Sequence, residues 1–218
     1  MNKDFADKTP REKRDYLAAE RVIKALRSRH MEGYFAATRE EALETALSLI
    51  PEGSQVGWGG SASVTELGLK NSLRQGDYQV IDRDRAADKA EFVEMEKQCL
   101  LADVFLMGTN AITEDGQLVN MDGVGNRVAA LCFGPDTVIV IAGMNKLVHS
   151  LEDGISRVRH TAAPVNAQRF PGNTPCRQSG TCGDCRKDDC ICSQLVITRG
   201  CKPAGRIKVV LVGENLGY

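Results

Sequence analysis

Apolar positions along the chain follow two rhythms. In the otherwise charged stretch 11–28, Leu17, Val22, Ile23 and Leu26 recur at helical spacing, which predicts an amphipathic helix. Thr9-Pro10-Arg11-Glu12 supplies a capping box with proline in the first turn, and Gly33 supplies a stop. A second box, Thr38 with Glu41, predicts a helix through Ile50 that ends at Pro51. Short apolar runs of a different kind lie at 55–58, 78–81, 104–107, 137–142, 195–198 and 207–212. The run TVIVIA at 137–142 is continuously apolar and rich in β-branched residues, as expected of a strand buried on both faces. Helical patterns separate these runs: one opened by a third box, Ser63 with Glu66, then 88–101, 127–133 and 153–167. Alternating strands and helices predict a three-layer αβα domain around a mainly parallel sheet.

Length fits this picture. A chain of 218 residues suits one such domain. We expect a helical extension at 1–34 and the α/β domain at 35–218, with a cysteine-rich loop at 172–193 inside it. Hydrophobic residues make up 42% of the chain and charged residues 26%, enough apolar matter for a real core. The net charge of −1 argues against a general electrostatic nucleic-acid binder. The apolar runs fall short of a membrane span, and the charged start of the chain contains no signal-peptide core. A cytoplasmic location is therefore the expectation, and a homo-oligomer stays open.

Candidate chemistry gathers just after the expected strands, where open α/β sheets place their ligands. Following 55–58 comes Gly59-Gly60-Ser61-Ala62-Ser63. Glycines let the backbone approach an anion closely, and Ser61 and Ser63 offer hydroxyls. The plainer reading is a tight strand-to-helix connection with Ser63 as N-cap. No Gly-Lys-Ser/Thr follows and the glycine spacing is wrong for a dinucleotide, so there is no nucleotide fingerprint.

The segment 108–127, GTNAITEDGQLVNMDGVGNR, carries more. Gly108, Thr109 and Asn110 follow a strand directly. Asn126 and Arg127 open the next helix, where an arginine would take a carboxylate or phosphate in bidentate fashion. Glu114 or Asp115 would serve as base or nucleophile, with Glu66 as a further carboxylate. The plainer reading is a polar hairpin turning at Glu114-Asp115-Gly116 and returning through Gln117-Leu118-Val119. That explains Asp115 and Gly116. It leaves Asn110, Asn120, Asp122, Asn126 and Arg127 unexplained as a group, so a small anionic or phosphorylated ligand is expected here. Lys146, beside Asn145, follows the strand TVIVIAG and would reach the same pocket, unless it is simply solvated.

Five of the eight cysteines lie between positions 176 and 192. Cys176, Cys182, Cys185 and Cys192 supply four thiolates on one loop, soft ligands suited to zinc or an iron–sulfur cluster. The spacing has one Cys-x-x-Cys knuckle, Cys182 to Cys185, where a zinc ribbon usually has two. That inclines the choice toward [4Fe–4S]. Cys190 reads as an extra and free surface thiols as the plainer alternative, while Cys99 and Cys132 read as core residues.

The stretches GWGGSASVTELGL at 57–69, ADVFLMGTNAITEDGQLVNMDGVGNRVAALCFGP at 102–135 and IAGMNKLV at 141–148 resemble the lactate-utilisation (LUD) family. The likeness runs over nearly the whole chain, and the cysteine segment with the ending VVLVGENLGY is similar to a subset of that family. The resemblance implies a fold like that of CoA transferases and ribose-phosphate isomerases. It implies a redox accessory in the oxidation of lactate or a related 2-hydroxy acid, working with an iron–sulfur oxidoreductase partner. Where the family carries a cluster in this segment, Cys176, Cys182, Cys185 and Cys192 are the matching positions. Two other functions compete with that reading. One is a transferase of CoA esters or an isomerase of sugar phosphates, with Glu66 or Glu114 as the working carboxylate. The other is a non-enzymatic regulator whose loop senses metal or redox state.

Overall fold

A computed structural model describes Phe5 and residues 7–218. Residues 1–4 and 6, the start of the expected helical extension, lie outside the described residues. In chain order the elements are α1 (Pro10–Ser28), β1 (Glu32–Ala36), α2 (Arg39–Ser48), β2 (Gln55–Trp58), α3 (Ala62–Glu66), α4 (Leu69–Gln75), β3 (Gln79–Ile81), α5 (Lys89–Gln98), β4 (Val104–Gly108), β5 (Ala111–Thr113) and β6 (Leu118–Asp122). They continue with α6 (Asn126–Cys132), β7 (Thr137–Gly143), β8 (Leu147–Val148), α7 (Leu151–Arg157), α8 (Ala163–Ala167), α9 (Pro175–Ser179), β9 (Gln194–Thr198) and β10 (Ile207–Val212).

Six strands pair in parallel in the order β1-β10-β7-β4-β2-β3. Alternation along each central strand feeds two cores. Phe105 and Met107 of β4, Val138 and Val140 of β7, and Val209 and Leu211 of β10 pack with α1 and α6. Val104, Leu106, Ile139, Ile141, Val210 and Val212 pack on the opposite face with α2, α3 and α4. The unbroken apolar runs are thus strands covered on both sides, and the three-layer, mainly parallel expectation holds.

A second sheet, in the order β8-β5-β6-β9, sits at the end of the first. The hairpin at 108–122 forms as β5 and β6, antiparallel. The run 195–198, expected among the strands of the mainly parallel sheet, forms β9 and pairs instead antiparallel to β6, with Met121 opposite Leu195. Leu195 and Ile197 are exposed, which suits an outer strand of a small sheet rather than a covered one.

Other differences are local. β1 begins at Glu32, so position 34 falls inside a strand of the main sheet, and α1 buries Ala19, Val22 and Leu26 in the same core as Phe105. The capping box at Thr9 forms fully. Thr38 caps α2, but Glu41 turns its carboxylate to the Ala37 N–H. The Ser63–Glu66 box does not form: Ser61 caps α3, accepting from the Val64 N–H at 3.2 Å. The helix at 153–167 starts at Leu151 and widens into a π-turn at Val158–Ala162. Pro164 stands two residues beyond; lacking an N–H and crowding the carbonyl four residues back, it favours that local unwinding. Among the described residues no helix is long and apolar enough to cross a membrane.

Candidate functional site

The C-terminal ends of β2, β3, β4 and β7 surround a cavity of about 630 Å³. Gly60 and Ser61 line it from the first turn, Arg83 and Asp84 from the segment after β3, Gly108 to Asn110 from the end of β4, and Lys146 from beyond β7. Asp122, Asn126 and Arg127 close one side. Close approach of the β2 and β4 ends needs small residues: a Cβ on Gly108 would stand 2.8 Å from Ser61 Oγ, and one on Gly59 would stand 3.0 Å from Arg127 Cγ.

Arg127 organises the wall. Its Nη1 donates to the Gly108 carbonyl at 3.1 Å and to Asn120 Oδ1 at 2.6 Å. Its Nη2 donates to Asn110 Oδ1 at 3.2 Å and to the Met121 carbonyl at 2.8 Å. Nε stands 3.8 Å from Asp122 Oδ2. The guanidinium is buried, which pulls its pKa down against the opposing attraction of Asp122. The four N–H groups of Nη1 and Nη2 therefore donate to protein acceptors and Nε lies within ion-pair distance of Asp122, so the fork expected for a ligand carboxylate is committed to holding β4, the hairpin and α6 together. Asn110 Oδ1 also accepts from the Met121 N–H at 2.8 Å, and the Thr109 hydroxyl donates to the Ala111 carbonyl at 2.8 Å. Asp122 caps α6 through the Val128 N–H at 3.1 Å, a role that Gly125 at the N-cap, φ +89°, cannot fill. Asn120 is fully buried, does not line the cavity, and its Nδ2 has no partner among the described residues.

Lys146 is different. Only 3% of it is exposed. Nζ donates to Ser63 Oγ at 2.7 Å, and the Ser63 hydroxyl in turn donates to the Leu216 carbonyl at 3.3 Å. No carboxylate lies within ion-pair distance of it among the described residues. Burial first, then the like charges of Arg157 and Arg127, bring its pKa down to about 7, with Glu66 acting the other way.

A third group escaped the sequence reading. Arg83 forms an ion pair with Glu96, which also accepts from Asn126 Nδ2 at 2.6 Å. Arg83 lies over the Phe92 ring at 4.7 Å, and its buried Nε has no partner among the described residues. Burial raises the Glu96 pKa, and Arg83 opposes this. Asp84 accepts from Lys70 at 2.7 Å and from Trp58 Nε1 at 3.1 Å. Burial works against its charge, yet these donors hold its pKa below the usual carboxylate value. The signal for Arg83 and Asp84 was their place directly after a strand, the same rule that located Gly59 and Gly108. Lys89, Arg169, Phe170, Tyr218 and Ile191 also line the cavity, and no sequence signal marked them.

Neither candidate carboxylate reaches this space. Glu66 is exposed on α3 and accepts from the Gly217 N–H at 2.8 Å. Glu114 sits at the hairpin turn, 3.2 Å from His149 Nδ1 and 3.6 Å from Arg21. Ser63 does not line the cavity itself but supports Lys146.

The cysteine loop lies alongside. Ile191 lines the cavity between Cys190 and Cys192, and the Ser193 N–H donates to the Asp122 carbonyl at 2.8 Å. All eight cysteines are free thiols. Cys190 contacts Cys185 and Cys192, so it belongs to the group rather than standing apart. Burial pushes the Cys192 thiol up to about 12, with the nearby Cys190, Cys176 and Cys182 adding to the rise. Cys182 Sγ is 3.9 Å from Arg159 Nη2. The donor set suits a soft metal in kind. Among the described residues, however, no three Cys, His, Asp or Glu side chains are arranged to hold a metal ion. Cys99 is buried as expected, whereas Cys132 is exposed at the end of α6.

Fold and site together define a parallel α/β protein with a ligand-sized cavity at the carboxyl edge of its sheet. Residues 19–212 match the model of the LUD domain, and the chain belongs to the LUD domain family. Among solved structures it is similar to a DUF162 family protein from Deinococcus radiodurans, at 15% identity over 91% of this chain and 98% of that chain, with a TM-score of 0.53. At that identity the likeness is one of fold. Matches to eIF2B delta from Chaetomium thermophilum (17% identity, 54% of this chain and 50% of that chain) and to translation initiation factor eIF-2B from Pyrococcus horikoshii OT3 (19%, 53% and 50%) have TM-scores of 0.35. No curated protein matches the chain.

Proposed function

We propose that this protein serves lactate or related 2-hydroxy-acid utilisation as a redox accessory that binds a small carboxylate in the cavity. Family membership supports a lactate-related role. The observation that carries the binding reading is the cavity itself, at the strand ends, lined by Lys146 and Lys89, which have no ion-pair partner among the described residues, and by Arg169. Such a lining favours a small anion over a neutral ligand. In this reading Arg169 and Lys89 hold the carboxylate beside the Lys146 amine, Phe92, Phe170 and Ile191 exclude water, and Arg127 keeps the wall rigid. Cys176, Cys182, Cys185 and Cys192, with Cys190, would hold zinc or a [4Fe–4S] cluster after the thiols close around it, and a bound cluster would supply one-electron chemistry. An iron–sulfur oxidoreductase would be the partner.

The transferase or isomerase reading needs Glu66 or Glu114 at the reacting centre, and both stand off the cavity. Titration calorimetry of anaerobically prepared protein tests the proposal. L-Lactate and pyruvate should bind, and CoA and ribose 5-phosphate should not. Binding of the phosphorylated ligands alone would replace this function with the transferase or isomerase one.

A further inference from the structure

We infer that the Lys146 amine is a covalent capture site for the carbonyl of a small 2-oxo acid, forming an imine inside the cavity. The substrate class rests on the function proposed above, in which a 2-oxo acid is the oxidised product. The amine chemistry rests on geometry. Lysine that binds anions as a cation is usually solvated or paired with carboxylates, and among the described residues Lys146 is neither: it is buried and its one hydrogen-bond partner there is a hydroxyl.

The direction of that contact matters. Ser63 directs its own hydrogen to the Leu216 carbonyl, so toward Lys146 it acts as acceptor only. A neutral amine held this way donates one N–H to Ser63 and keeps its lone pair unengaged. The charged groups that act on Lys146 are Arg157 and Arg127, which disfavour an ammonium, and Glu66, which favours it. With burial they bring the amine to about 7 from the ordinary 10.5. At pH 7 about half of it is neutral, against about one part in 3,000 for an unperturbed lysine.

The step balances without a further reactant. The nitrogen lone pair attacks the carbonyl carbon, and the carbonyl π pair moves to oxygen. That oxygen leaves as water with the two amine hydrogens, one of them the hydrogen first donated to Ser63. The C=N bond replaces the C=O bond, with no net change in oxidation state. A desolvated lysine is a recognised nucleophile for such chemistry.

The test uses the whole protein with pyruvate and cyanoborohydride, which reduces an imine irreversibly. Peptide mass mapping should place a carboxyethyl group on Lys146 at least ten-fold faster than on exposed lysines away from the cavity, such as Lys24 or Lys187. The labelling rate should rise through pH 7. Lys146→Arg, which keeps a cation but cannot form an imine, should lose this label and retain only the slow background. Equal labelling of all lysines, or a rate that rises only near pH 10, would overturn the inference. L-Lactate calorimetry on the same sample separates it from the proposed function. Lactate binding without an adduct at Lys146 refutes the imine alone, while an adduct without lactate binding refutes the lactate reading and keeps the amine chemistry.

Discussion

Arg127→Met should unfold this protein more readily without abolishing ligand binding in the cavity, although it removes one of the two charges that disfavour a Lys146 ammonium. The side chain is buried, and its hydrogen bonds join Gly108, Asn110, Asn120 and Met121. Methionine fills similar volume but donates nothing. Asn120 Oδ1 would then lose its arginine donor while Nδ2 already has no partner among the described residues. A buried polar group left unpaired costs about 1–3 kcal/mol. The Gly108 and Met121 carbonyls each lose a donor as well, partly offset because no guanidinium need be desolvated. The net loss should be about 3–5 kcal/mol, the usual range for breaking a buried charged network. For a chain of this length that lowers Tm by about 6–20 °C. Urea unfolding followed by circular dichroism gives the stability, and calorimetry below the transition gives pyruvate affinity. Arg127→Lys should behave almost as badly, because an ammonium cannot present donors to acceptors spread around a planar fork. A variant within about 1 kcal/mol of the wild type that no longer binds pyruvate would refute the reasoning and return Arg127 to ligand binding.

Two further expectations follow from packing and charge. Gly57→Ala places a methyl 2.5 Å from Cys99 Sγ and should cost about 1–3 kcal/mol by overpacking; the double change with Cys99→Ala should recover most of it in a thermal melt, and additive losses would contradict the contact. Asp84→Asn weakens the links to Lys70 and Trp58 and should cost about 1 kcal/mol at pH 7, discounted for the carboxylate's partial exposure. Because the folded-state pKa of Asp84 is depressed, its contribution is present above the ordinary aspartate value of 3.8 and fades as pH falls through the lower folded value. The gap between wild type and variant should therefore narrow in acid, and a gap that widens there would reverse the assignment.

Much of the architecture was legible because periodicity and burial agree. The runs at 104–107, 137–142 and 207–212 are apolar at every step because helices cover both faces, so they announce a parallel sheet without any partner being known. Strand ends then located Gly59, Gly108 and Lys146. What the sequence hid depends on tertiary placement. β9 is a short apolar run, Leu195-Val196-Ile197, like the central strands, and nothing local says whether β10 or β6 will accept it. Arg127 looks like an anion clamp in one dimension; only the folded hairpin shows its donors surrounded by Asn110, Asn120 and two carbonyls. Arg83 was missed because β3 is short and the charged segment after it reads as solvated. Glu66 and Glu114 misled for the opposite reason, as carboxylates near the right motifs that the fold turns outward.

The pairing of β6 with β9 has a thermodynamic consequence. Asp122 closes the cavity wall and caps α6, its own carbonyl holds Ser193, and Ser193 adjoins Cys192. A rearrangement of the thiols that shifts this strand pair changes the free energy of occupying the cavity. Linkage then fixes the converse: the factor by which thiol closure alters ligand affinity is the factor by which ligand alters thiol closure. Titrating either process in the presence of the other measures one coupling constant twice.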